Sequence, residues 1–385
     1  MPVPAPTSAN APLPARPRRV LVRGVNWLGD AVMTTPALLR LREALPGAHI
    51  TLLTQQKLAD LWLGHPSLDA VMTFAPGQGV CRLAREIRRA GPFDLALVLP
   101  NSPRAALEAW LAGVPRRVGY AGPWRSWFLT RAIPQPPGRV ATRARGRWEV
   151  RRLSAERPQP APPPTAHHIH HYLHLTAALG ASSEPVSPMA QVAAAEVEQA
   201  LEVLRPELPG KAGNTPDGLP LLLGLSPGAE YGPAKRWPAE RFAAVAIEVG
   251  RRLAPCVWLV FGGANERELC QEIVAAAPAN ALNLAGRTSL RQLMALLRLC
   301  RVLLTNDTGP MHLAAALGTP VVAPFGSTSP ELTGPGLPGE GGARHRLLTS
   351  GAGCAPCFRR TCPIDFCCMT GLSAGRVIEA VLEVV

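Results

Sequence analysis

Residues 300–325 limit what this chain can fold into more than any other stretch. Val302 to Leu304 is an apolar run of strand length, and Pro310 to Leu317 reads as a helix with its proline in the first turn, where a missing N–H costs nothing. Val321 to Pro324 is a second apolar strand. Strand, polar turn, helix and strand predict a parallel α/β unit, in which free backbone N–H groups and a helix dipole meet at the carboxyl ends of the strands. Thr305-Asn306-Asp307-Thr308-Gly309 is that turn, and Asp307 and His312 flank its anion-ready end.

The same grammar opens the chain. Arg18 to Arg23 reads as a strand, Gly24 to Asp30 as a turn, Ala31 to Leu45 as a helix and His49 to Thr54 as the next strand. A nucleotide-phosphate loop fails here on residue identity. Only Gly24 and Gly29 are present, and Asp30 stands where a P-loop carries lysine, so the turn would repel phosphate. Asp30 can serve as a base; equally, it can be a first-turn acid that favours the helix dipole. Asp69 to Phe74 and Phe93 to Leu99 are further strands. The second ends in Asn101-Ser102, which can hydrogen-bond a sugar or cap the helix from Arg104 to Leu111. Arg117 to Tyr120 reads as a strand edge.

At 385 residues the chain has room for two domains, and no apolar run is long enough to span a bilayer. Residues 1–17, rich in Pro and Ala, read as a disordered tail without the apolar core of a signal peptide, so a cytoplasmic protein is expected. Lys and Arg exceed Asp and Glu by 40 − 27 = 13, which calls for an acidic partner or reflects a plain solvated basic surface. Arginines dominate from Arg104 to Arg157, interleaved with Trp124, Trp127, Phe128 and Trp148; this suits an anionic membrane surface better than nucleic acid, since no nucleic-acid-binding motif accompanies it. Five histidines between His167 and His174 lack a nearby acid or cysteine and read as exposed helix residues. Cys81, Cys256, Cys270 and Cys300 read as buried hydrophobes.

Ser182 to Pro188 is polar and broken by prolines, and the domain boundary is placed there: 18–184 for the first domain, 185–371 for the second. The second half repeats the pattern after a helix at Gln191 to Leu204 and a Gly/Pro loop. Strand Leu221 to Leu225 runs into a long turn carrying Lys235-Arg236 before Trp237-Pro238, basic charge suited to a diphosphate and tied to an aromatic anchor. Strand Val257 to Phe261 ends in Gly262-Gly263, where Glu266 can accept from ribose hydroxyls or act as an ordinary first-turn acid.

Gly-Asp-Ala-Val-Met-Thr-Thr-Pro-Ala-Leu at 29–38, Pro-Gly-Ala-Glu-Tyr-Gly-Pro-Ala-Lys-Arg-Trp-Pro at 227–238 and Thr-Asn-Asp-Thr-Gly-Pro-Met-His-Leu-Ala-Ala-Ala-Leu-Gly at 305–318 resemble the motifs of the glycosyltransferase family that contains the lipopolysaccharide core heptosyltransferases. Asn101-Ser102 and Arg117 to Tyr120 are similar to the subgroup that adds the second heptose. The resemblance runs from about Arg18 to the C-terminus and is thinnest over 131–165. It implies a GT-B architecture: two Rossmann-like domains facing across a cleft, the first for the acceptor and the second for the nucleotide sugar, with a C-terminal helix (372–385) crossing back to the first. It also implies inverting transfer of L-glycero-D-manno-heptose from ADP-heptose to the first heptose of the inner core of lipid A-core, at the cytoplasmic face of the inner membrane.

Carried onto this chain, the resemblance makes Asp30 the base and places Lys235, Glu266, Asp307, Thr308, Gly309 and His312 around the donor, with Asn26, Asn101 and Ser102 toward the acceptor. The chemistry agrees. A single displacement needs one carboxylate to take the acceptor proton, and Lys235 with helix-start amides can neutralise a leaving diphosphate. No Asp-x-Asp pair of metal-dependent transferases is evident, and no cofactor is expected. Two departures stand out. Asn26-Trp27 replaces the usual Ser-Trp, and Asp365-Phe366 interrupt a cysteine-rich segment in which Cys354, Cys357, Cys362 and Cys367 form either a packed loop or a metal cluster. Two other functions compete: a sibling transferase adding the first heptose or using another nucleotide sugar, and a non-catalytic basic membrane-surface protein on the same fold.

Overall fold

The computed structural model describes residues 17–140, 142–208, 218–337 and 344–385. The tail expected over 1–17 lies outside them except for Pro17, as does most of the Gly/Pro loop before Leu221. In chain order the elements are β1 (Arg19–Arg23), α1 (Leu28–Ala44), β2 (His49–Gln55), β3 (Ala70–Phe74), α2 (Val80–Ala90), β4 (Leu95–Val98), α3 (Pro103–Leu111), β5 (Arg116–Tyr120), β6 (Arg131–Ile133), α4 (Arg147–Leu153) and α5 (His168–Ala177). There follow α6 (Ala194–Leu204), β7 (Leu221–Ser226), α7 (Ala239–Arg252), β8 (Cys256–Val260), α8 (Arg267–Ala276), β9 (Ala281–Asn283), α9 (Leu290–Leu299), β10 (Leu303–Thr305) and α10 (Gly309–Ala316). The last are β11 (Val321–Phe325), α11 (Pro330–Thr333), β12 (Arg346–Thr349), α12 (Cys367–Thr370) and α13 (Ala374–Leu382).

Two compact units emerge, each built on one six-stranded sheet whose pairings are all parallel. The first sheet has the order β3-β2-β1-β4-β5-β6; the second, read from its β9 edge, is β9-β8-β7-β10-β11-β12. Relative to the first strand of each sheet, both are the doubly wound order 3-2-1-4-5-6 of a Rossmann-like fold. Helices cover both faces, so the central strands are buried throughout, as in Leu95–Val98 and Val321–Phe325, and their sequences read as continuous apolar runs. The order reverses between β1 and β4 and again between β7 and β10. In open α/β sheets the turns leaving those strands border the ligand crevice.

The boundaries depart from expectation. The first unit comprises residues up to Arg139 together with His168–Gln191; the second comprises Val140–His167 and Val192–Val385. Residues 140–167 thus leave the half of the sequence to which 18–184 had been assigned. The cause is local packing: Val150 and Leu153 of α4 bury against Cys354, Cys357 and Ile364, and Arg145 N–H donates to Cys357 O at 2.9 Å. The chain then returns, and α5 packs Ile169 and Leu173 against Met33 and Ala37 of α1. Met189 N–H donates to Thr35 Oγ1, which keeps the segment beyond 184 with the first unit.

α13 is grouped with the second unit, where Val377, Ala380 and Val381 share one buried cluster with Phe242, Val245 and Val249 of α7. Arg117 to Tyr120 is no edge, because β6 continues the sheet beyond it. Cys256, Cys270 and Cys300 are buried as expected, but Cys81 is exposed, on the outer face of α2. His167 is buried, its Nε2 at 3.0 Å from Gly334 O, and His168, His170, His171 and His174 are half-buried, so the exposed-helix reading does not hold.

Candidate active site

Every site residue inferred from sequence except Glu266 falls in or just after a turn leaving β1, β4, β7 or β10, the four strands at the two switch points; Glu266 follows β8. In the second unit Lys235 arrives on the long turn after β7. Its Nζ lies 2.7 Å from Asp307 Oδ2 and 3.2 Å from Asp307 O, so the turn after β10 and the lysine are joined by charge. The ring of Tyr231 supports Nζ at 5.1 Å, and Arg360 stacks on the same ring at 5.2 Å.

Asn306 does the bracing that residue spacing did not reveal. Its Oδ1 accepts from Trp237 N–H (3.0 Å) and its Nδ2 donates to Pro227 O (2.7 Å), so one buried amide holds both ends of the lysine turn. Trp237 is the packed anchor foreseen beside the basic pair: it is buried, with Nε1 donating to Leu372 O at 3.1 Å. Gly232 has φ 153°, and a Cβ there would meet Arg360 O at 2.6 Å, so this bend is closed to other residues.

Asp307 is 4% exposed. Burial works to raise its carboxyl pKa, but Lys235 and His312 outweigh it, and the carboxyl stays below its ordinary value. His312, one turn into α10, lies with Nε2 at 4.0 Å from Asp307 Oδ1; burial pushes its imidazole down to about 4, against the upward pull of Asp307. It is neutral at working pH. Thr308 is the N-cap position of α10, its Oγ1 at 3.3 Å from Thr305 Oγ1, and Gly309 opens the helix with its N–H in the first turn. Glu266 accepts from Gly263 N–H (3.0 Å) and stands 3.8 Å from Arg236. Its carboxylate lies so close over Gly228 that a Cβ there would fall 2.0 Å from Oε1.

Sequence reading missed the turn after β11. Ser327 is a buried hydroxyl without a hydrogen-bond partner among the described residues, Thr328 is buried where its hydroxyl helps hold the Asp307 carboxylate ionised, and Thr333 Oγ1 reaches Asp307 Oδ2 at 3.4 Å. The run Gly326-Ser327-Thr328-Ser329 after an apolar strand was the available signal.

In the first unit Asp30 sits in the first turn of α1, half-buried. Tyr172 of α5 is close enough to feel its charge: burial first, then Asp30 and Tyr120, hold the phenol well above its ordinary pKa. Asn26 Oδ1 is 3.4 Å from Arg23 Nη1 after β1. After β4, Asn101 Oδ1 accepts from Arg125 Nη1 at 2.8 Å, while Ser102 caps α3 by accepting from Ala105 N–H at 3.3 Å. The capping alternative for Ser102 is therefore realised.

The cysteine-rich segment works as a brace. Cys357 and Phe358 donate N–H to Ser327 O, Tyr231 donates to Phe358 O, and Ala234 N–H reaches Arg360 O, so it supports both the lysine turn and the hydroxyl turn. Cys354 and Cys367 Sγ are 3.8 Å apart; among the described residues, no three His, Cys, Asp or Glu side chains gather as a metal would require.

Two Rossmann-like units carry charged and hydroxyl-bearing turns at their switch points, where doubly wound sheets bind ligands. Comparison with known proteins narrows this. A model of glycosyltransferase family 9 (heptosyltransferase) matches residues 139–367. Lipopolysaccharide heptosyltransferase 2 of Escherichia coli K12 is 31% identical over 339 residues, covering 82% of this chain and 85% of that protein. Among solved structures, E. coli ADP-heptose lps heptosyltransferase II superposes with a TM-score of 0.72 at 26% identity (95% and 98% covered), and a family 9 glycosyl transferase from Veillonella parvula with 0.74 at 25% identity (95% and 97%). The chain belongs to glycosyltransferase family 9, the heptosyltransferases, and is a glycosyltransferase.

Proposed function

We propose that this enzyme transfers L-glycero-D-manno-heptose, with inversion, from ADP-heptose to the first heptose of the lipopolysaccharide inner core, without a metal ion. The observation that carries the reading is the Lys235–Asp307 pair at the β7/β10 switch point, directly before the N-terminus of α10. Asp307 fixes two of the three Nζ donors, and the third can turn to a diphosphate oxygen, joined by the amides at Thr308 and Gly309. These groups neutralise charge as the diphosphate departs. Glu266 accepts from ribose hydroxyls. Asp30 takes the proton of the acceptor hydroxyl as the anomeric carbon becomes oxocarbenium-like, in one displacement that inverts the centre. Asn26 and Asn101 offer amides to the acceptor.

The names of the relatives support heptose as the sugar and the lipopolysaccharide core as the acceptor. Peripheral attachment to an anionic inner-membrane surface on the cytoplasmic side fits the net charge of +13 and the exposure of Trp124, Trp127 and Trp148, each more than two-thirds accessible. Among the described residues no helix is long and apolar enough to cross a membrane.

The test is mass-spectrometric detection of product from ADP-heptose with acceptors carrying no heptose or one. Product only on the one-heptose acceptor supports the reading. Product only on the heptose-free acceptor transfers the assignment to a first-heptose enzyme, and product only with another nucleotide sugar overturns the donor.

A further inference from the structure

Two cations share one aromatic ring beside the donor turns. Tyr231 carries Lys235 Nζ at 5.1 Å from its ring centre and the guanidinium of Arg360, from the cysteine-rich segment, at 5.2 Å. The backbone fixes that meeting. Arg360 O accepts from Ala234 N–H at 2.9 Å inside the lysine turn, and Tyr231 Oη donates to Phe358 O at 2.9 Å, two residues before the arginine. Phe358 holds φ 54°, a left-handed backbone that a bulky residue seldom adopts, while its N–H is bound to Ser327 O at 2.7 Å. The segment therefore presents Arg360 from a braced, strained bend.

The charges at these turns leave Arg360 a role. Lys235 is matched by Asp307 at 2.7 Å and Arg236 faces Glu266 at 3.8 Å, while His312 is neutral. The side chain of Arg360 is exposed, and among the described residues no carboxylate lies within ion-pair distance of it. When the bond from the anomeric carbon to the β-phosphate oxygen breaks, its electron pair stays on that oxygen and the diphosphate gains a negative charge. A lysine already paired with a carboxylate meets that charge poorly, and an unmatched cation meets it well.

We propose that Arg360 is a second cation of the donor site, which binds the β-phosphate of the nucleotide and stabilises it as the leaving group. A guanidinium offers two parallel N–H donors to one phosphate, and stacking on Tyr231 orients that fork without a carboxylate to compete for it. The cysteine-rich segment then contributes a ligand-binding charge as well as support for the turns. The inference rests on the reading that the second unit binds ADP-heptose.

The experiment is calorimetric titration of the full chain with ADP and with AMP, which lacks the β-phosphate. Arg360→Gln should weaken ADP binding at least about tenfold and AMP binding less than about twofold, and should make ADP binding less sensitive to salt. Arg360→Lys keeps the charge without the fork and should fall between. The side chain is exposed and its backbone bond to Ala234 survives either change, so both variants should melt with the wild type. Unchanged ADP affinity in Arg360→Gln overturns the proposal. So does an equal loss for ADP and AMP, which would make the arginine a support for the turn and nothing more. Failure of the donor reading is seen separately, as unchanged ADP affinity in Lys235→Met; if Arg360 alone is misassigned, Lys235→Met weakens ADP binding and Arg360→Gln does not.

Discussion

Lys235 Nζ and Asp307 Oδ2 meet at 2.7 Å although 72 residues separate them, because the turns after β7 and β10 are neighbours at the point where the strand order reverses. The pair fixes a cation beside the start of α10. Lys235→Met keeps the stem but removes the charge, and leaves the buried Asp307 carboxylate facing burial without its main opponent. ADP affinity should fall by tenfold or more, and stability by about 3–5 kcal/mol, the usual cost of breaking a buried pair from one side. Calorimetric titration with ADP and chemical denaturation check both. An unchanged ADP affinity removes Lys235 from the donor site.

Asp30→Asn preserves shape while removing the base. Turnover should fall by a factor of about 10² to 10⁴, the range for a positioned general base. The groups assigned to ADP all lie in the second unit, so ADP affinity should stay within about twofold of wild type. Product formation and ADP titration on one preparation decide it: a wild-type rate excludes Asp30 as the base.

How much of this was legible in the sequence follows from the physics of parallel sheets. Central strands buried on both faces must be continuously apolar, so the polar residues leaving them stood out; Asp30, Asn101, Lys235 and Asp307 were found this way. Long-range placement was not legible. Nothing local tells Val150 and Leu153, two apolar residues amid arginines, that their partners are Cys354 and Cys357. Val377 and Val381 mark an amphipathic helix without saying that α7 receives it. Arg125 looked like any arginine of a basic stretch, because burial is decided by Gly119 and Gly122, whose missing side chains make its space. β6 and β12 are short and borrow their order from neighbours.

Arg23 and Glu108 make a buried ion pair in the first unit, at 2.8 Å, with the two side chains at most 4% exposed. Arg104 shares the carboxylate at 2.9 Å, and Arg23 also stacks on Phe74 and donates to Gly24 O and Asn26 Oδ1. Glu108→Leu strands the Arg23 charge and should cost about 3–5 kcal/mol, whereas Arg23→Leu with Glu108→Leu should cost clearly less than the two singles summed. Denaturation midpoints of the three variants measure this. Strict additivity would mean the ion pair contributes no coupling.

Acid should destabilise the protein through buried imidazoles. Burial pushes His65, His171, His312 and His345 each down to about 4, from an ordinary value of 6.5. Between those values the unfolded chain binds protons that the folded chain refuses, so stability falls as pH drops from about 6.5 toward 4 and this contribution levels off below. His345 isolates one term, since it is 6% exposed and its Nδ1 accepts from Val321 N–H at 3.2 Å, a bond a glutamine oxygen can replace. His345→Gln should reduce the slope of unfolding free energy against pH in that window by up to one proton, about 1.4 kcal/mol per pH unit. Denaturant titrations at pH 6.5, 5.5 and 4.5 measure the slope. A variant as acid-sensitive as wild type would show that His345 is protonated equally in both states, contradicting its burial as the cause.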